Sequence, residues 1–188
     1  KAGENLSRIT DLAHRMGRII RNLRAFARQE SEEVRQVDIV AILDSVIELT
    51  GARMRQDAVE IRFGRPDHPI WVRGGDVRLG QVFVNLLTNA ADAMEGQDEK
   101  CIGIEVTETG PLTVIVRDTG PGIDLPDKVF EPFYSTKVVG ASEGMGLGLS
   151  ISYGLVQSFG GDIKGENREG GGAVFTLELE SAKRDEGS

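Results

Sequence analysis

Gly74-Gly75-Asp76-Val77-Arg78-Leu79-Gly80-Gln81-Val82-Phe83-Val84-Asn85-Leu86-Leu87-Thr88-Asn89-Ala90-Ala91-Asp92-Ala93-Met94 reads as one long amphipathic helix, opened by a glycine pair and an acidic first turn. At 100° per residue Leu79, Val82, Phe83, Leu86, Leu87, Ala90, Ala93 and Met94 fill one broad apolar face. Arg78, Gln81, Asn85, Asn89 and Asp92 project from the other. Asn85 and Asn89 stand one turn apart, so both amides can address one ligand. Their carbonyls are hard oxygen donors, suited to Mg²⁺ that keeps water and phosphate oxygens around it. An exposed polar face explains the same residues equally well, and Asp92 reads as part of that face.

Outward from this helix the pattern alternates. Asp38 caps an amphipathic helix running to about Gln56 (Ile39, Ile42, Leu43, Val46, Ile47, Leu49). Short β-rich runs follow at Val59–Phe63 and Ile70–Val72, separated by Arg65-Pro66-Asp67-His68-Pro69. Beyond the central helix come Cys101–Thr107 and Leu112–Val116, joined by a Gly110-Pro111 turn. A third helix is expected at about Leu147–Phe159, then closing strands at Asp162–Glu166 and Ala173–Leu179. Helices lying between strand pairs joined by short turns predict a two-layer α/β sandwich on a mixed, mostly antiparallel sheet.

Two glycine-rich motifs interrupt the regular elements. Asp118-Thr119-Gly120-Pro121-Gly122-Ile123 follows a strand directly. A carboxylate there, followed by residues free to adopt unusual φ and ψ, can accept a hydrogen bond from an exocyclic amine; a tight turn with an Asp cap is the plainer alternative. Gly144-Met145-Gly146-Leu147-Gly148-Leu149-Ser150 opens the third helix, where backbone N–H groups and the helix dipole favour phosphate. No Gly-Lys-Ser/Thr follows, no strand precedes it, and no Val-Ala-Ile-Lys or His-Arg-Asp occurs. It is therefore not a Walker A loop, a Rossmann fingerprint or a protein-kinase glycine loop. Residues 119–148 form a long Gly- and Pro-rich segment with weak periodicity, as a functional loop or lid would.

Composition narrows the classes. The 188 residues are 39% hydrophobic and 28% charged, which excludes collagenous, mucin-like and wholly disordered chains. No apolar run reaches the roughly 18 residues of a membrane helix. One cysteine, Cys101, excludes an internal disulfide and a Cys-based zinc site, and fits a reducing compartment. Two histidines, His14 and His68, leave little for a His-based metal site. Residues 1–35 hold eight Lys/Arg against five Asp/Glu, and the remainder 14 against 25. An acidic body argues against non-specific nucleic-acid binding, and the basic N-terminal residues read as a solvated arginine face, with a nucleic-acid contact there as the weaker alternative. Leu6, Ile9, Ala13, Met16, Ile20, Leu23 and Ala27 recur in alternating steps of three and four, the seam of a coiled coil or bundle; a helix folded back on its own domain fits the pattern as well. The expected organisation is a bundle helix at 1–30, a polar linker at 31–36, a catalytic domain at 37–181 and a charged tail at 182–188. With Lys1 standing inside what reads as a helix, the chain is expected to be a piece of something longer.

Asn-x-x-x-Asn, then Asp-x-Gly-x-Gly, then Phe130-Glu131-Pro132-Phe133-Tyr134-Ser135-Thr136-Lys137, then Gly-x-Gly-x-Gly-Leu, in that order, resembles the ATP-binding catalytic domain of sensor histidine kinases, over about residues 37–180. That family belongs to the wider group holding gyrase, the heat-shock chaperone ATPases and the MutL proteins, whose fold is the Bergerat-type sandwich. Leu23-Arg24-Ala25-Phe26-Ala27-Arg28 resembles the second helix of the family's dimerisation and phosphotransfer hairpin, in wording similar to the nitrogen-regulation and C4-dicarboxylate sensors.

The resemblance implies roles residue by residue. Asn89 would ligate Mg²⁺ and Asn85 would assist at metal and phosphates. Asp118 would bind the adenine amino group of ATP, in a pocket shaped by Gly120 and Gly122. Gly144, Met145, Gly146, Leu147 and Gly148 would cradle the phosphates. Residues 123–146 would be the lid, anchored by Phe130 and Phe133 unless these merely pack, and Lys137 would reach the γ-phosphate. The gyrase branch has a water-activating Glu four residues before its metal Asn. Here that position is Asn85, and an amide is no general base, which favours transfer to a histidine over hydrolysis. His14, followed by Arg15-Met16-Gly17, lies on the wrong helix for the acceptor, so the acceptor histidine is expected upstream. Gly172-Ala173 stands where the family often has Gly-Thr, with little consequence expected. The implied parent is a dimeric bacterial sensor anchored in a membrane, this part cytoplasmic, passing phosphate to a response-regulator receiver domain. The rival readings are an ATPase doing conformational work and a nucleotide-gated scaffold that transfers nothing.

Overall fold

The computed structural model of the chain describes residues 33–134 and 146–182. The expected bundle helix, with His14, and most of the charged tail lie outside these residues.

The first described element is a short strand, β1 (Arg35–Asp38). Residues 35 and 36 were expected in a linker; they pair antiparallel with β3 (Trp71–Gly74) in a small second sheet. Their charge hid this, because only Val37 of the strand points into the core. Asp38 ends β1 and caps α1 (Ile39–Gln56): its Oδ1 accepts from Val40 N at 3.0 Å and from Ile70 N at 3.1 Å. One carboxylate thus satisfies an otherwise unpaired first-turn donor and fixes where the chain enters β3. Arg53 and Arg55 sit in the last turn, where the helix dipole favours cations.

The main sheet runs β2 (Glu60–Gly64), β4 (Cys101–Thr107), β5 (Leu112–Asp118), β7 (Ala173–Leu179), β6 (Asp162–Asn167). Only the β2–β4 pair is parallel. The mixed, mostly antiparallel sheet is the one the sequence predicts. Beyond β7 the chain crosses to the small sheet, where Ser181 bridges Val72.

One face of the sheet carries α1, α2 (Asp76–Ala93) and α3 (Gly148–Ser158). From α2, Leu79, Val82, Phe83, Leu86, Leu87, Ala90 and Met94 are buried with Ile102, Ile104, Val114, Val116 and Leu177 in one core. Each large side chain so buried contributes roughly 1.5–3 kcal/mol of transfer free energy. The helix departs from its predicted face at one place: Ala91 is buried and Ala93 is exposed. Gly80, three turns earlier on the side of Ala91, meets Val46, so α1 widens the covered stripe. Ala93 instead borders Gly120, just beyond the end of the central strand β5. Among the described residues no helix is long and apolar enough to cross a membrane.

Two loops far apart in sequence meet at the exposed side chain of His68. Nδ1 stands 2.8 Å from Asp67 Oδ1 and Nε2 stands 2.7 Å from Glu108 Oε1. The hydrogen bonds to Asp67 and then Glu108 hold the imidazole pKa above its ordinary value. A raised folded-state pKa stabilises fully below the unfolded value, and that stabilisation is lost as pH rises through the folded pKa. His68→Gln should therefore lower Tm more at about pH 5.5 than at about pH 8.5. A deficit equal at both values, or larger at the alkaline one, would show that the pairing is not what the substitution removes.

Candidate functional site

Asp118 is the last residue of β5 and 5% exposed, a carboxylate at the end of a core strand. Gly120 N donates to its Oδ1 at 2.9 Å and Ala173 N donates to the same oxygen at 3.1 Å. Oδ2 takes no such bond among the described residues and is the oxygen left for a ligand. Burial raises the pKa of this group above the usual carboxylate range, against the pull of the Ala173 and Gly120 N–H groups and of the charge of Arg168. A larger residue at 173 would supply the same N–H, which is why Ala in place of Thr leaves this contact intact.

The turn after Asp118 depends on two glycines. Gly120 packs between Asp118 and the end of α2, where a Cβ would stand 2.9 Å from Asp118 Oδ1 and 3.5 Å from both Ala93 Cβ and Met94 Cγ. Gly122 has φ +93°. Opposite them a Cβ at Gly172 would collide with the Asp118 carbonyl oxygen, so the β6–β7 turn presses directly on the end of β5. Thr119 ties the same turn to the adjacent strand: its Oγ1 accepts from Cys101 N at 3.1 Å and its hydroxyl donates to Glu99 O or Met94 Sδ, both at 3.2 Å.

Asn85 and Asn89 face α3. Asn89 Nδ2 donates to Asn85 Oδ1 at 3.5 Å, and Asn85 Nδ2 donates to Ser152 Oγ at 3.0 Å. Asn85 is thus held by neighbours on both sides of its amide, while Asn89 Oδ1 has no protein partner among the described residues. Gly148, the first residue of α3, lies so close to Asn85 Oδ1 that a Cβ there would collide with it. Leu147 caps α3 without a side-chain hydrogen bond, so its first-turn N–H groups are not consumed by a cap. Gly146 has φ +64° and lies against the backbone of Phe133 and Tyr134; Phe133 N donates to its carbonyl at 3.0 Å. The structure therefore gathers Asn85, Asn89 and the Gly146–Gly148 turn at one helix end, with Asp118, Gly120 and Gly122 at the far end of α2. Lys137, Gly144 and Met145 lie outside the described residues.

The two lid phenylalanines differ. Phe130 is half-buried, its ring 5.5 Å from that of Tyr153 and edge-on to Phe175 at 6.3 Å. Phe133 is 74% exposed with φ +67°, and is attached through its backbone rather than its ring. Asp92, read as solvating its helix, pairs with Arg53 and so ties α2 to α1. Ser152 was missed, although a hydroxyl one turn beyond Gly148 in an otherwise apolar helix was the available signal. A separate concavity of about 1030 Å³ lies over β2, β4 and β5. Within its charged lining Arg62 pairs with Glu60 and Arg117 with Glu105, and none of Asn85, Asn89, Asp118, Gly120, Gly122 and Gly148 borders it.

The donor set fits a magnesium nucleotide. A hydrogen-bond acceptor is buried at one end, a neutral amide oxygen without a partner among the described residues stands in the middle, and backbone N–H groups are presented at a helix N-terminus. Among the described residues no group of three His, Cys, Asp or Glu gathers as a metal cluster.

The family described as histidine kinase-, DNA gyrase B-, and HSP90-like ATPase matches residues 74–183. The C4-dicarboxylate transport sensor protein DctB of Pseudomonas aeruginosa is 36% identical over 179 residues, 93% of this chain and 29% of that protein. Sensor protein FixL of Bradyrhizobium diazoefficiens is 32% identical over 186 residues, 97% of this chain and 36% of its own length. The chain spans about a third of the length of these curated relatives. Among solved structures, the catalytic domain of histidine kinase ThkA superposes with a TM-score of 0.67 at 31% identity, covering 80% of this chain and 97% of that one. With the strand-end aspartate, the paired asparagines and the glycine turn set in one nucleotide-binding sandwich, this chain belongs to the histidine kinase-, DNA gyrase B- and HSP90-like ATPase family, and within it to the sensor histidine kinases.

Proposed function

We propose that this chain binds Mg²⁺·ATP and donates the γ-phosphoryl group to a histidine of a two-component sensor, for relay to an aspartate on a response-regulator receiver domain. The observation that carries the reading is the identity and engagement of residue 85. It is an amide held between Ser152 and Asn89, with no carboxylate in its place to deprotonate water. A neutral imidazole is already a nucleophile and needs no such base. In the transfer its nitrogen forms the N–P bond as the bond from the γ-phosphorus to the bridging oxygen breaks and ADP leaves. The protein's share is positioning and charge neutralisation.

In this reading Asp118 Oδ2 accepts from the adenine amino group, with Gly120 and Gly122 shaping the turn beside it. Asn89 Oδ1 holds Mg²⁺, which when bound neutralises phosphate charge, while Asn85 keeps the amide pair in place. The N–H groups at the Gly146–Gly148 turn face phosphate oxygens, joined by Gly144, Met145 and Lys137 of the lid. The acceptor histidine lies in a hairpin upstream, in a dimeric parent anchored in a bacterial membrane, with residues 1–30 as the second hairpin helix. What supports this wider assignment is the likeness to sensor proteins such as DctB.

Two substitutions test the site. Asp118→Asn should weaken ADP binding by about tenfold or more, since the replacement amide can offer its N–H to the adenine amine and loses the charged acceptor. Because burial raises the Asp118 pKa, wild-type affinity should fall as pH drops through it, and the variant should lose that dependence. Affinity for ADP unchanged by calorimetry would remove Asp118 from adenine recognition. Asn89→Ala should abolish most of the gain in ATP affinity on adding Mg²⁺ while adenosine binds as before; an undiminished Mg²⁺ effect would place the cation elsewhere.

A further inference from the structure

The turn that follows Asp118 is gripped at both ends by one paired position of the β6–β7 hairpin. Asn167 and Ala173 face each other as the last register pair of that hairpin. The Ala173 N–H holds Asp118 Oδ1 at 3.1 Å, at the start of the turn. At its end the Asn167 side chain makes two bonds to the backbone of Ile123: Ile123 N donates to Oδ1 at 2.6 Å, and Nδ2 donates to Ile123 O at 2.8 Å. The amide thus imitates the next rung of a strand pairing, across 44 residues of sequence. Between the two grips lie Gly120, whose N–H is the second donor to Asp118 Oδ1, and Gly122, whose φ of +93° is disfavoured for any other residue. Asn167 also abuts this glycine, since a Cβ at 122 would stand 2.6 Å from its Oδ1. The hairpin turn behind the pair is closed by Arg168 N donating to Gly172 O at 2.9 Å, and it is backed against the Asp118 carbonyl.

We infer that Asn167 is a positioning residue for adenine recognition: by clamping Ile123 it fixes the turn whose Gly120 N–H orients the Asp118 carboxylate and leaves Oδ2 to the base. This rests on the assignment of Asp118 to the adenine amino group. Asn167 is exposed and contributes nothing to the core, so its loss acts on the turn before it acts on the fold. A residue that orients an acceptor governs which base is preferred, whereas a residue that only holds the hairpin governs how much protein is folded.

The experiment measures ADP and GDP affinities by calorimetry, with Tm by circular dichroism, for the chain and for Asn167→Ala, Asn167→Asp and Asp118→Asn. Asn167→Ala should weaken ADP by about three- to tenfold, with a smaller effect on GDP, so that the ADP-to-GDP preference falls while Tm moves little. Asn167→Asp keeps the acceptor for the Ile123 N–H and loses the donor to its carbonyl, and should lie between wild type and Ala. If Asn167→Ala lowers Tm but leaves the ADP-to-GDP preference within twofold of wild type, the residue is structural and the inference falls. Should Asp118→Asn leave ADP binding intact, it is the adenine assignment itself that fails; a loss in Asp118→Asn with none in Asn167→Ala overturns the clamp alone.

Discussion

A carboxylate buried at the end of a core strand needs hydrogen-bond donors, and the way Asp118 obtains them organises the rest of the nucleotide site. Among the described residues both donors are backbone N–H groups and both bond Oδ1: one from the next turn, at Gly120, and one from β7, at Ala173. Satisfying one oxygen twice leaves the other oxygen for a ligand, at a place where an unpaired polar atom would otherwise be costly. The same bonds dictate the glycines. Gly172 must approach the Asp118 carbonyl more closely than a Cβ permits, and Gly120 must fit between the carboxylate and the end of α2. The Asp-x-Gly-x-Gly spelling is the sequence trace of this packing.

The second half of the site follows from helix packing rather than from sheet chemistry. Asn85 and Asn89 share the α2 face that meets α3, and the amide–hydroxyl bond between Asn85 and Ser152 fixes how α3 docks. That docking sets the N-terminus of α3, at Gly148, against the Asn85 amide. The ends of the site proposed here for phosphate and for adenine are therefore held by different elements, with α2 between them.

Much of this was legible in the chain. Apolar periodicity placed all three described helices and the main-sheet strands to within one or two residues, because each buries one face on a single core. The order of four motifs identified the family. What escaped were contacts between distant segments. Ser152 and Asn167 are ordinary polar residues until α2 and the Ile123 backbone arrive beside them. Arg35 and Gln36, the first half of β1, were taken for linker because both are polar or charged. Ala91 and Ala93 exchanged roles because α1, not the sheet, decides that side of α2. Phe133 was expected to anchor the lid, by resemblance, or simply to pack; its backbone is left-handed and its ring is exposed to solvent.

Asn85 separates transfer from hydrolysis in this account, because the position that would activate water holds an amide already engaged by Ser152 and Asn89. The most direct test follows the label from γ-labelled ATP and Mg²⁺ in this chain once nucleotide binding is confirmed. Bound ATP is expected with neither steady phosphate release nor label on the protein, since the acceptor histidine is assigned to an upstream hairpin. Sustained release of phosphate, or a phosphohistidine at His14, would contradict it.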